Sequence, residues 1–158
     1  MKILLLEDLD NYAEVIIESL KKSRLRNVHI VRIATEFEFH KRLNELVSGS
    51  FDVGVFDVMV CWCKINEDGD PEDPNPPDEV LAEINQEAKW RSGLRCRRLF
   101  SEALEKAGKP VVPCIYYTIL DRADLEDALA NDPSLIVAKQ GNIQPLVVGI
   151  LKVVNSKP

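Results

Sequence analysis

Phe51-Asp52-Val53-Gly54-Val55-Phe56-Asp57-Val58-Met59-Val60 is a run of Val and Phe interrupted by a single carboxylate at its exit, Asp57. It follows the turn signal Ser48-Gly49-Ser50. A short apolar run bounded in this way is the pattern of a strand covered on both faces, as in a parallel sheet. An ionised Asp at the end of such a strand costs solvation and demands partners.

Working back from this strand, Thr35-Glu36-Phe37-Glu38 has the form of a capping box, and Phe39, Leu43 and Val47 give the helix after it a buried stripe ended at Gly49. Val28 to Ala34 is a second predicted strand. Ahead of it, Asp10 or Asn11 can cap a helix with Tyr12, Ile16 and Leu20 on one face and Lys21-Lys22 at its C-terminal dipole. Ile3 to Leu6 is the first strand, followed at once by Glu7-Asp8. Working forward, Cys96, Leu99, Phe100, Ala103 and Ala107 mark a core-facing helix stopped by Gly108 and Pro110, and Val111 to Thr118 is the fourth strand. A short acidic helix is predicted over Asp121 to Asn131. Leu135 to Ala138 is the fifth strand with Lys139 at its exit, and Asn142 caps a last helix that carries Pro145 in its first turn. Regular alternation of strand and helix predicts an α/β fold, a doubly wound five-stranded parallel sheet.

One interval breaks the alternation. Asp57 and Gly93 lie 36 residues apart, where a βα loop needs only about 2–6. Residues 61–92 are read as an insertion: an acidic, Pro-rich loop with seven acids and four prolines between Glu67 and Glu79, then a short helix from Glu79 to about Trp90. Five basic residues follow closely, Lys89, Arg91, Arg95, Arg97 and Arg98. They are read as a solvated helix face that pairs with the acidic loop.

At 158 residues the chain fits one domain, 1–158, able to bury a core without disulfides. A net charge of −6 argues against general nucleic-acid binding, and no apolar run is long enough to span a membrane. The N-terminal apolar run turns acidic at Glu7-Asp8, unlike a secretory signal, so a cytoplasmic location is expected. Cys61, Cys63, Cys96 and Cys114 lack a second pair at zinc-finger spacing and are expected as reduced thiols. A calcium loop over Asn66-Glu-Asp-Gly-Asp70 fails because Lys64 falls where the first carboxylate ligand must be. His29 and His40 are isolated and receive no catalytic role.

In an open α/β sheet the ligand crevice lies beyond the C-terminal strand ends where the strand order reverses. For the order 2-1-3-4-5, Glu7-Asp8 and Asp57 meet there, with Thr118 and Lys139 on the same edge. Carboxylates about 4 Å apart repel by about 4 kcal/mol at an effective dielectric near 20, so a cation must intervene. Lys139 neutralises one charge, and hard oxygen ligands suit Mg²⁺ alongside a phosphate. Asp57 is then the candidate nucleophile for an aspartyl-phosphate. Glu7 and Asp8 position the metal, and Thr118 and Lys139 hold the phosphoryl group.

Leu4-Leu5-Leu6-Glu7-Asp8, the Phe51 to Asp57 strand, Thr118 and Lys139 together resemble the receiver domain of two-component response regulators, particularly the stand-alone chemotaxis type. Ser92-Gly93-Leu94 resembles the family's Asp-Gly-Leu at the start of its third helix. The resemblance implies a flavodoxin-like receiver fold and phosphotransfer to Asp57 from a histidine kinase or phosphotransfer protein. It implies Met59 as a backbone-carbonyl ligand to Mg²⁺, and a downstream protein partner in place of an attached output domain. No enzymatic activity beyond self-directed phosphotransfer and autodephosphorylation is expected. A receiver-like interaction module that is not phosphorylated is the alternative, and a D-x-D phosphatase is disfavoured because Met59 stands where its second acid belongs.

The sequence departs from the family at Ile119 after the Thr, at Ile136 in place of the switch aromatic, at Gln140 after the Lys, and at Cys61-Trp62-Cys63 in place of a proline-bearing turn. These changes spare the phosphoacceptor residues and shift the expected output to the insertion, which can close over the phosphate as a lid. The apolar arc of the last helix, from Ile143 through Val154, spans roughly 220°, wider than the stripe of about 100° that one core needs. A homodimer through this helix, or coverage by the insertion, is expected.

Overall fold

The computed structural model describes residues 1–156 apart from 24, 26, 87–90, 122, 126, 128, 130, 131 and 133. Five strands, β1 (Lys2–Leu6), β2 (His29–Ile33), β3 (Val53–Phe56), β4 (Cys114–Thr118) and β5 (Leu135–Ala138), pair in parallel in the order β2-β1-β3-β4-β5. This is the predicted doubly wound arrangement, with the reversal between β1 and β3. Side chains alternate across the sheet as strand geometry requires. Ile3, Leu5, Val53, Val55 and Ile115 pack toward helices α1 (Asp10–Lys22) and α5 (Gln144–Asn155), which bring Ile16, Leu20, Leu146 and Ile150. Leu4, Leu6, Ile33, Phe56 and Tyr116 face the opposite core, filled by Phe39 and Leu46 of α2 (Glu36–Ser48) and by Phe100 and Leu104 of the long helix Ser92–Lys106.

The insertion contributes α3 (Asp78–Gln86), so the helix Ser92–Lys106 is α4. The predicted continuation of α3 to Trp90 lies outside the described residues. Ahead of α3, Ile65 and Pro71 form an antiparallel bridge around a turn in which Asn66 Oδ1 accepts the N–H groups of Asp68 and Asp70. Asn66 is thereby committed to the turn.

Two caps depart from expectation. Asp10 lies inside α1 rather than capping it, behind Leu9, which offers no side-chain acceptor. At α2 the capping box forms: Thr35 Oγ1 accepts the Glu38 N–H at 3.0 Å, and Glu38 Oε2 accepts the Ala34 N–H at 2.8 Å. The next two N–H groups, of Glu36 and Phe37, donate to the carbonyls of Cys61 and Trp62 at 3.0 and 2.8 Å. The root of the insertion therefore completes the cap of α2.

Two members of the basic run form ion pairs away from the acidic loop. Arg95 is buried and grips the buried Glu36 carboxylate through Nε and one terminal nitrogen, at 2.9 and 2.8 Å, linking α4 to α2. Arg91 bonds Asp127 on both carboxylate oxygens. Sequence distance hid these partners, because a charge run on one helix is indistinguishable from a solvated face until the neighbouring helix is placed. Lys89 lies outside the described residues.

The predicted helix over Asp121 to Asn131 falls partly outside the described residues. Its described part holds one 3₁₀ turn, Ala123–Leu125, with Leu125 and Leu129 buried. On α5, Leu146, Val147 and Ile150 are buried while Val148 and Leu151 remain exposed. The insertion is fastened to α2, across the sheet from α5, so no described contact of the insertion covers that arc.

Gly93 sets the distance between α4 and the end of β3. A Cβ there would lie 1.8 Å from the Asp57 carbonyl oxygen, and the Gly93 N–H donates to the Val58 carbonyl at 3.0 Å. Since the obstruction is backbone, no side-chain motion relieves it. Gly93→Ala is expected to lower unfolding stability by about 1–3 kcal/mol, measured by urea denaturation. An unchanged midpoint would contradict this close approach.

Candidate functional site

The parallel register delivers the chemistry to one edge. Leu6 pairs with Phe56, and the Asp57 N–H donates to the Leu6 carbonyl at 2.9 Å, so the residues after β1 and β3 are neighbours. Thr118 pairs with Ala138, and the Lys139 N–H donates to the Thr118 carbonyl at 2.8 Å. Strand ends that are distant in sequence thus converge, as predicted from the order of elements.

Carboxylate oxygens of Glu7, Asp8 and Asp57 lie within 4.8 Å of one another. Lys139 Nζ reaches Glu7 Oε2 at 2.7 Å and Asp57 Oδ2 at 2.6 Å. Glu7 and Asp57 are buried, and the lysine side chain is only 5 % exposed. Asp57 Oδ1 accepts the Met59 N–H at 3.2 Å. The buried Thr118 keeps its Oγ1 close to its own turn, accepting the Leu120 N–H at 3.4 Å.

Burial pushes the Glu7 carboxyl above its usual range. Lys139 opposes the rise, while Asp57 and Asp8 add to it. Burial of the Lys139 ammonium works to lower its pKa, but Asp57 and Glu7 outweigh burial and hold it above the ordinary lysine value. When all four groups are charged, three carboxylates face one ammonium. Each carboxylate pair at this spacing repels by about 3–4 kcal/mol at an effective dielectric near 20. Hard oxygens, a net negative charge and an open side at Asp8 fit a divalent cation such as Mg²⁺.

Several supporting groups were not foreseen. Arg32 of β2 donates to the Glu7 carbonyl from Nε and Nη2, at 3.1 and 3.0 Å, and to the Asp8 carbonyl at 3.3 Å. It also pairs with Asp10 at 2.7 Å, and Lys64 of the insertion approaches the same carboxylate at 3.5 Å. An arginine inside a predicted strand that is apolar apart from His29 was the available signal. The Cys61 N–H donates to Asp8 Oδ2 at 3.1 Å. Partial desolvation and the adjacent Asp8 push the Cys61 thiol up to about 11, so the sulfur stays protonated. All four cysteines are free thiols. Ser92 donates its hydroxyl to the Val60 carbonyl, holding α4 against the same loop.

Compared with solved structures, the chain aligns over 99 % of its length with a response regulator receiver protein from Sinorhizobium medicae, covering 95 % of that chain at a TM-score of 0.62 and 16 % identity. The chain has the receiver-domain fold. The Francisella response regulator 1452 receiver domain matches at 0.60 and 15 % identity, with 98 % of this chain and 96 % of that one covered. The non-phosphorylated HemR receiver domain of Leptospira biflexa matches at 0.60 and 14 %, with 99 % and 96 % covered. No family model and no curated protein matches the sequence. The receiver fold is therefore built here from a sequence in which the carboxylates and the lysine stand at the expected strand ends while much of the remainder differs.

A carboxyl whose pKa is raised by folding adds stability while protonated and loses it as pH rises through its folded value. In chelator, the stability of Glu7→Gln relative to the unsubstituted protein is therefore expected to improve as pH rises from about 4.5, the usual carboxyl value, toward neutrality. Thermal melts across that window test it. A pH-independent difference would contradict the buried, charge-crowded position of Glu7.

Proposed function

We propose that the chain is a phosphoacceptor receiver of two-component signal transduction, phosphorylated on Asp57 with Mg²⁺ as cofactor. The observation that carries this reading is the meeting of Glu7, Asp8 and Asp57 within 4.8 Å, with Lys139 touching two of them, at the strand-order reversal of a receiver fold. Glu7, Asp8, Asp57 and the Met59 carbonyl would hold the cation. When bound, Mg²⁺ supplies positive charge against the oxygens of the transferring phosphoryl group.

The donor is the phosphohistidine of a histidine kinase or phosphotransfer protein. An Asp57 carboxylate oxygen attacks phosphorus, the P–N bond breaks, and its electron pair returns to the imidazole, leaving an aspartyl phosphate. Lys139 then donates to a phosphoryl oxygen. Thr118 Oγ accepts from the Leu120 N–H, which leaves its own proton to donate to the phosphoryl group. Hydrolysis later returns the carboxylate and inorganic phosphate. The chemistry is confined to the protein's own Asp57, with no second substrate turned over.

Exposed Leu9, Tyr12, Val15, Met59 and Ile119 offer an apolar surface for a protein donor or a downstream protein partner. No described helix is long and apolar enough to cross a membrane, and with a net charge of −6 the reading includes neither membrane nor nucleic acid. It places the protein in the cytoplasm, where histidine kinases hold their phosphoryl donors. The second reading is a receiver-like docking module that is not phosphorylated. It is favoured by Ile119, 70 % exposed, and by Ile136 beside Tyr116 where the family carries a switch aromatic.

Incubation with Mg²⁺ and acetyl phosphate is expected to add one phosphoryl mass to the protein and none to Asp57→Asn. Absence of modification, with beryllofluoride also failing to bind, would leave the docking-module reading. Exposed Val148 and Leu151 on α5 further predict concentration-dependent self-association in sedimentation velocity. A strict monomer at high concentration would remove α5 as a homodimer surface.

A further inference from the structure

The insertion does not begin at a free loop. Its first residue, Cys61, donates its N–H to Asp8 Oδ2 at 3.1 Å and, one Cα away, accepts the Glu36 N–H of α2 at 3.0 Å. The next carbonyl, of Trp62, accepts the Phe37 N–H at 2.8 Å. The Trp62 ring packs against Phe37 and His40 at centroid distances of 5.8 and 5.6 Å, and its indole N–H donates to the Pro74 carbonyl at 2.9 Å. A single residue therefore joins an acid of the carboxylate cluster to the first turn of α2 and to the base of the insertion.

We propose that Cys61 is a positioning residue: its main-chain N–H holds the Asp8 carboxylate toward Glu7 and Asp57, and through it cation occupancy of the cluster is transmitted to Trp62 and the insertion. The inference rests on reading Glu7, Asp8 and Asp57 as a divalent-cation site. Asp8 is the least buried of the three acids, so it has the most freedom to lose without a donor. Hydrogen bonds that orient a metal ligand typically govern about 10–100-fold in metal affinity. A cation that draws Asp8 inward displaces the Cys61 N–H with it. Because Cys61 and Trp62 also cap α2, that displacement is felt at the ring packed on Phe37 and His40.

The chain has two tryptophans, so a Trp90→Phe background leaves Trp62 as the reporter. Mg²⁺ titration followed in parallel by calorimetry and Trp62 emission should give one saturable transition with a shared midpoint. Cys61→Ala retains the N–H and should behave alike. Cys61→Pro removes the N–H and should weaken Mg²⁺ binding about 10-fold or more and abolish the Trp62 response. Equal affinity and response in Cys61→Pro, or calorimetric binding with silent Trp62 emission, would overturn the inference while leaving the cation site intact. No calorimetric binding in the parent would overturn the cation site and this inference together. Should Cys61→Pro not fold, ¹⁵N-cysteine labelling of the parent decides. The amide signal that disappears in Cys61→Ala should move with Mg²⁺ at the calorimetric midpoint and stay still in Asp8→Ala. A stationary signal in the parent would overturn the inference.

Discussion

The ammonium of Lys139, held 2.7 Å from Glu7 and 2.6 Å from Asp57, is the interaction on which the site depends. Two buried carboxylates at the ends of adjacent parallel strands are tolerable only with positive charge between them. One lysine is too little for three acids, and the remaining negative charge leaves the crevice compatible with a cation. Burial, with the neighbouring acids adding to it, pushes Glu7 above its usual range, while Asp57 and Glu7 hold Lys139 above its own. The charge imbalance is a property that the protein carries in its folded state, at a cost to its stability.

Around this centre the fold acts as a set of main-chain clamps. Arg32 holds the carbonyls of Glu7 and Asp8, Cys61 holds the Asp8 carboxylate, and the close approach of Gly93 with the Ser92 hydroxyl seats α4 on the loop after Asp57. Arg95 then ties α4 to Glu36 at the start of α2, where the Cys61 and Trp62 carbonyls also end. Buried ion pairs of this kind add little net stability when formed, yet losing one partner costs about 3–5 kcal/mol. The geometry of the α2–α4 contact is therefore strictly specified. An insertion that might have hung from the sheet edge is instead part of the structure that surrounds the carboxylates.

Much of this was legible in the chain. The apolar runs and the capping box at Thr35 and Glu38 led to the alternation of strand and helix, and, with the order 2-1-3-4-5 that the receiver resemblance implies, the acids after the first and third strands led to the crevice, because ligand crevices of open α/β sheets lie at strand ends. Less legible was everything that depends on long-range pairing. Arg95 looked like one cation in a solvated run and is buried against Glu36. Asp10 looked like a helix cap and instead receives Arg32. The end of the insertion nearest Asp57 could be recognised as irregular, but no pattern of residue types reveals where a backbone N–H such as that of Cys61 will point.

By itself, then, the order of residues determined the strands and which side chains stand at their C-terminal ends, since apolar runs and their exits are local properties. Only the tertiary structure decided how those side chains are held: that Lys139 bridges two acids, that Arg32 grips carbonyls rather than carboxylates of the acid pair, and that Cys61 links Asp8 to α2. These are hydrogen bonds between residues 24 to 132 positions apart, many of them to main-chain atoms common to every residue type. Their partners are chosen by where the packed elements come to rest.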